Sequence, residues 1–171
     1  MSNYKRNLVE GGTYFFTVNL ADRKSTLLID EIEKLRRAYR EVQNKLPFKT
    51  IAICILPNHL HCIWQLPEGD SDYSTRWRLI KTAFTKSLSI RGHQRRIGEA
   101  GIWQRRYWEH TIETEKDLNN CIDYIHANPF HHGYVDNLDD WPYSSWQKLR
   151  QEERLGLDAN KIKLSQNIYG E

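Results

Sequence analysis

Nothing in this chain is apolar for long enough to cross a membrane. A spanning helix needs about 18–20 consecutive apolar residues, and no run approaches that. The opening MSNYKRNLVEGG lacks the apolar stretch of a secretory signal. Cysteine is scarce: Cys54, Cys62 and Cys121 are an odd number, form no CxxC and sit among apolar neighbours. That excludes a disulfide framework and a zinc ribbon, and reads instead as three small buried hydrophobes in a reducing compartment. Internal repeats are absent too. What remains is a cytoplasmic protein of 171 residues, 39% hydrophobic, long enough for one core and too short for two comfortable ones. The expected division is a single domain over 1–150 and a polar tail over 151–171.

Charge is present but unevenly spread. The formal net charge of +3 divides into 19 Lys/Arg against 11 Asp/Glu over residues 1–110, and 6 against 11 over 111–171. Within the basic part, Arg76, Arg78, Lys81, Lys86, Arg91, Arg95, Arg96, Arg105 and Arg106 are accompanied by one acid, Glu99. Such a stretch is a candidate polyanion surface. Interleaved Trp77, Trp103, Tyr107 and Trp108 could stack unpaired bases. Core packing is the competing role for each, and the favoured one for Trp77, which lies on an apolar stripe.

Periodicity outlines the elements. The aromatic and β-branched run from Thr13 to Leu20 reads as a strand. Leu28, Ile32, Leu35, Tyr39, Val42 and Leu46 recur every three or four residues and predict an amphipathic helix over about 30–44, closed by Pro47. Runs from Phe48 to Leu56 and from His59 to Leu66, separated by Pro57-Asn58, predict a hairpin. A basic-faced helix follows over about 73–90, then a strand over about 107–112. Thr114 and Asp117 resemble a capping box opening a third helix that runs to Pro129. The order is strand, helix, strand, strand, helix, strand, helix. It predicts an α+β fold, a ferredoxin-like antiparallel sheet of βαββαβ type with helices on one face and an additional C-terminal helix.

Two places carry chemistry. Side chains alternate across a strand, so His59 and His61 share one side while Leu60, Cys62 and Trp64 share the other. Two imidazoles with a third ligand from another element make a metal site with open positions, although a lone HxH also suits hydrogen-bonded histidines. On the third helix Asp117, Asn120, Tyr124 and Asn128 form a polar line beside Leu118, Cys121, Ile122 and Ile125. The Tyr124 ring can therefore lean on the core while its hydroxyl reaches a cleft, or can simply pack. His110 and His126 lie near these residues in sequence, with structural roles equally open to them.

Taken together, EGGTYFFTVNL, LPNHLHCIWQLPEGD, SxRWRxIK, IWQxRxWEHTI and DYIHANPxxHGYV, in that order and spacing across about residues 4–146, resemble the REP-associated tyrosine transposases, relatives of the single-tyrosine HUH transposases. The resemblance implies Tyr124 as nucleophile, with His59, His61 and Asn128 holding a divalent metal, Mg²⁺ or Mn²⁺. It implies cleavage and rejoining of single-stranded DNA at palindromic hairpins flanked by a guide sequence, through a covalent 5′-phosphotyrosine. Arg76, Arg78, Lys81, Arg95, Arg96, Arg105, Arg106 and Trp108 are the expected DNA contacts. A nucleoid-associated monomer is implied, with a dimer as the alternative. A hairpin-binding module without cleavage, and a metal-dependent hydrolase using water, are the rival functions.

Overall fold

Four antiparallel strands, β1 (Thr13–Asn19), β2 (Lys49–Ile55), β3 (His59–Gln65) and β4 (Trp108–Ile112), stand in the spatial order β2-β3-β1-β4. This is the ferredoxin-like order, with the most hydrophobic strands at the centre. The structure is a computed structural model that describes residues 6–88 and 101–151. Arg91, Arg95, Arg96 and nearly all of the expected tail lie outside the described residues.

The helices between the strands differ from expectation in detail. The first is divided into α1 (Leu27–Asp30) and α2 (Ile32–Lys45), because Glu31 between them leaves helical geometry at φ −115° and ψ 31°. The next, α3 (Tyr73–Ser87), starts at Asp72, whose carboxylate accepts from Thr75 N at 2.9 Å. Among the described residues no helix is long and apolar enough to cross a membrane.

Alternation along the strands gives the sheet two apolar faces. Tyr14, Phe16, Val18, Leu60, Cys62 and Trp64 point towards α2 and α3, where Trp64 stacks on Trp77 with centroids 4.3 Å apart. Trp77 is thus a core residue. Phe15, Ala52, Cys54 and Ile63 point the other way and pack under α4 (Glu115–His131), through Cys121, Tyr124 and Ile125. The helices are therefore not all on one face. The helix added to the ferredoxin-like plan covers the opposite side, as it must if a sheet apolar on both faces is to be kept from water.

α4 continues two residues past Pro129. Proline removes one N–H near the end of the helix, and the last turn is closed by another device. Gly133 adopts φ +70° and donates to Phe130 O at 2.9 Å, while Tyr134 N donates to Pro129 O at 2.9 Å. This pair of bonds is a Schellman closure, in which glycine takes the left-handed position without a Cβ penalty.

The segment after α4 has regular parts of its own. A 3-10 turn (Leu138–Asp140) and α5 (Trp146–Gln151) flank a short stretch in which Ser144 bridges Cys54. Ile55 N donates to Tyr143 O and Ser145 N to Ile53 O, both at 2.8 Å. Half of the β2 edge is thereby paired and shielded.

Candidate active site

His59 and His61 lie on β3 on the α4 side of the sheet, as alternation predicts, with ring centroids 5.0 Å apart and planes at 82°. Each ring is held through Nδ1. Thr17, directly opposite on β1, places Oγ1 2.9 Å from His61 Nδ1. Asn58 Oδ1 lies 2.5 Å from His59 Nδ1 and is itself positioned by bonds from its amide to Arg23 O and from Leu20 N to its carbonyl. With Asn58 Oδ1 accepting, His59 Nδ1 carries the proton, so Nε2 is the nitrogen that ring would offer a cation. Anchored Nδ1 atoms are the usual outer support of imidazole ligands.

Tyr124, Asn128 and His132 are spaced by four along α4, and this stripe faces the histidine strand. The Tyr124 ring meets His61 edge-on, centroids 5.2 Å apart, and at the other end the His132 ring lies 5.3 Å from that of His59. Asn128, buried and one turn from each, is carried to the same stretch of β3. Phe15 lies behind both partners, stacked on His61 at 5.6 Å and edge-on to Tyr124 at 5.9 Å. Tyr124 is only 3% exposed, so its ring belongs to the second core. His132 was not expected at the site. Its spacing from Asn128 was a usable signal, hidden by the assumption that Pro129 ends the helix.

The donor set is chemically suited to a divalent ion: two oriented imidazoles from a rigid strand and a buried carboxamide from a helix. Thr17→Val removes the hydroxyl that orients His61 and is expected to weaken binding of a divalent ion at this pair about 10- to 100-fold with little change in fold, measured by calorimetric titration of the protein with Mn²⁺.

The basic stretch does not form one surface. Arg76, expected as a DNA contact, is buried, 2% exposed, and its guanidinium is committed within the fold: it donates to Leu46 O, Pro47 O and Asp72 O and is bidentate to Asp70. That pairing holds the Asp70 carboxyl below the usual carboxylate range. Lys81 is half-buried, its ammonium donating to Gln104 O at 3.1 Å beneath Trp103 and Tyr107. Burial, reinforced by Arg6, depresses its pKa to about 8. Tyr107 is covered on another side by the Arg6 guanidinium, 4.7 Å from the ring centroid. Arg78 and Lys86 on α3, and Arg105 and Arg106 before β4, are exposed. Trp108, half-buried, reaches towards the histidine pair through Phe15, to which it is edge-on at 5.7 Å.

His126, two residues from Tyr124, turns away from the site. Its Nε2 lies 3.0 Å from Ser145 Oγ, its ring packs on Trp146, and its Nδ1 is buried without a hydrogen bond. A second proton would have no acceptor there, and burial lowers the pKa to about 4. The unfolded chain takes up that proton near pH 6.5, so this contribution to stability is full above pH 6.5 and is lost as pH falls towards 4. Between pH 7 and 5 the loss is about 2 kcal/mol. Urea unfolding of His126→Gln is expected to show a pH dependence flatter by about that amount.

Comparison with known proteins places these features in a family. The family model described as "Transposase IS200 like" matches residues 9–128. An Escherichia coli REP-associated tyrosine transposase is 45% identical over 148 residues, covering 86% of this chain and 84% of that one. A Haemophilus influenzae protein provisionally given the same name is 48% identical over 153 residues, covering 86% and 87%. The solved structure of a REP-associated tyrosine transposase bound to a REP hairpin superposes with a TM-score of 0.87 at 40% identity, covering 100% of this chain and 98% of that one.

Proposed function

The chain belongs to the REP-associated tyrosine transposases, and from that premise we propose that it cuts and rejoins single-stranded DNA at palindromic hairpins, with Tyr124 as nucleophile. The observation that carries the reading is the edge-on contact between Tyr124 and His61, which sets a phenol beside an oriented imidazole pair. Hairpin DNA as substrate follows from the similarity to a relative solved with a REP hairpin.

His59, His61 and Asn128 would hold a divalent cation, Mg²⁺ or Mn²⁺, whose charge would polarise the scissile phosphate. The chain's own groups do the rest. Thr17 and Asn58 fix the imidazoles, and the Phe15 ring supports the phenol from behind. α4 presents the Tyr124 hydroxyl for in-line attack on phosphorus. The Tyr124 Oη–P bond forms as the P–O3′ bond breaks. The phenolic proton leaves and the 3′-oxygen gains one, so the products are a 5′-phosphotyrosine and a free 3′-OH. One phosphodiester replaces another, and attack by a 3′-OH on the adduct rejoins the strand. Trp108 and the exposed Arg105 and Arg106 form the side from which DNA approaches the site, with Arg78 on α3 a more distant phosphate contact. Acting on DNA, the protein works at the bacterial chromosome, as a monomer in this reading.

The test is a labelled single-stranded hairpin incubated with the protein, with and without Mn²⁺, and resolved under denaturing conditions. A covalent protein–DNA band that requires Mn²⁺ and disappears in His61→Ala is expected. Cut DNA without adduct would transfer the reading to a water-using hydrolase, and binding without cutting to a hairpin-binding module.

A further inference from the structure

A second group of potential ligands lies on the same side of the sheet, towards the other end of α4. His110 on β4, Asp117 in the first turns of α4 and Cys121 one turn later bring one ligand atom each to within 4.8 Å of one another. Two of these contacts are individually defined. His110 Nε2 is 2.8 Å from Asp117 Oδ2, and Cys121 Sγ is 3.7 Å from Asp117 Oδ1. Thr114 and Asp117 were expected to form a reciprocal capping box. Thr114 Oγ1 does accept from Asp117 N at 3.1 Å, yet the Asp117 carboxylate is turned to His110 and Cys121.

We infer that His110, Asp117 and Cys121 form a zinc-class metal site, separate from the His59/His61/Asn128 set. Around a tetrahedral Zn²⁺, with bonds of about 2.0 Å to nitrogen or oxygen and 2.3 Å to sulfur, neighbouring ligand atoms stand roughly 3.3–3.5 Å apart. The 2.8 and 3.7 Å contacts run to different Asp117 oxygens; with one oxygen taken as ligand, the three ligand atoms stand within 4.8 Å of one another, a set that rotations of His110 and Asp117 can draw in. Those two side chains can rotate, being 37% and 28% exposed, whereas Cys121 forms a buried floor. The exposed rim leaves a fourth position for water.

The ligand types choose the ion. A thiolate with an imidazole and a carboxylate suits Zn²⁺ or Co²⁺ and is a poor set for Mg²⁺. Coordination requires the Cys121 thiol to lose its proton to the buffer, so affinity falls as pH falls. A bound ion would fasten β4 to α4 one turn before Tyr124, steadying the helix that carries it.

The site has an optical signature that the His59/His61/Asn128 set cannot produce, since thiolate-to-cobalt charge transfer needs a sulfur ligand. The full chain, stripped with a chelator, is titrated with Co²⁺ and then with Zn²⁺. The expected result is a near-ultraviolet charge-transfer band that is displaced by Zn²⁺ and, with His59 and His61 both replaced by Ala, saturates at about one ion per chain. It should disappear in Cys121→Ser, need at least 10-fold more Co²⁺ in His110→Gln, and persist in His59→Ala/His61→Ala. His110→Gln alters a half-exposed strand position, which keeps the test decisive should Cys121→Ser fold poorly. Absence of the band overturns the inference and leaves a hydrogen-bonded His110–Asp117 pair. A band retained at full strength in Cys121→Ser overturns it as well, since its source is then Cys54 or Cys62. Neither result depends on whether Tyr124 forms a DNA adduct.

Discussion

Tyr124→Phe is expected to abolish the covalent DNA adduct, lowering cleavage at least about 10³-fold, the scale on which loss of a nucleophile registers. Hairpin binding should stay within a few-fold. The substitution deletes one oxygen and leaves the ring where Phe15 and His61 hold it, so stability should change by no more than about 1 kcal/mol. A denaturing gel measures the adduct and fluorescence anisotropy measures the binding. Cleavage surviving the substitution would put the nucleophile elsewhere. If the phenol and the imidazole pair act on one phosphate, as proposed, adding His61→Ala to Tyr124→Phe should cost little more than either change alone.

The second large effect concerns stability. Arg76→Ala is expected to cost about 3–5 kcal/mol, because truncating a buried guanidinium leaves several backbone carbonyls without a donor, even though Asp70 stays partly exposed. At roughly 3 °C per kcal/mol for a domain of this size, Tm falls by about 10–15 °C. The five guanidinium bonds join the end of α2, through Leu46 and Pro47, to the loop of Asp70 and Asp72 that leads into α3. Truncation leaves three carbonyls and a carboxylate short of donors. Arg76→Lys should rescue poorly, since an ammonium has three donors and no planar fork. Arg78→Ala, at an exposed position, should stay within about 0.5 kcal/mol. If Arg78 contacts a phosphate, the salt dependence of hairpin binding should become shallower by about 0.9 in log–log slope. A DNA role for Arg76 would reverse the pattern, weakening binding at unchanged Tm. Thermal melts and salt titrations on both variants distinguish the cases.

Arg76 also shows where sequence reasoning reaches its limit. It stands three residues after Tyr73 and four before Ile80, on the buried stripe of α3, so its position argued for the interior. Grouping it with eight other cations hid that signal, because a count of charges carries no information on which backbone carbonyls will surround them. The histidine pair was legible for the opposite reason: strand alternation is strictly local, and it placed both rings on one side of the sheet. The stripe of Tyr124 and Asn128 was equally local. What could not be read was which face of the sheet α4 would choose, since that depends on Phe15, Ala52, Cys54 and Ile63 leaving a second apolar face to cover. The strand-like pairing of Ser144 with Cys54 is a contact between residues distant in the chain, with no periodicity to announce it.

Phe15 gives the site a dimension as well as a backing. The strand bearing the imidazoles and the helix bearing the phenol belong to separate elements, and this one inert ring touches both. It works as a shim whose thickness sets the spacing between the Tyr124 phenol and the His61 imidazole. A thinner residue such as leucine would let the helix settle inward and shift the phenol against the imidazoles without removing any polar group. The reach of the phenol is thus written into β1, a strand that supplies no reactive group of its own.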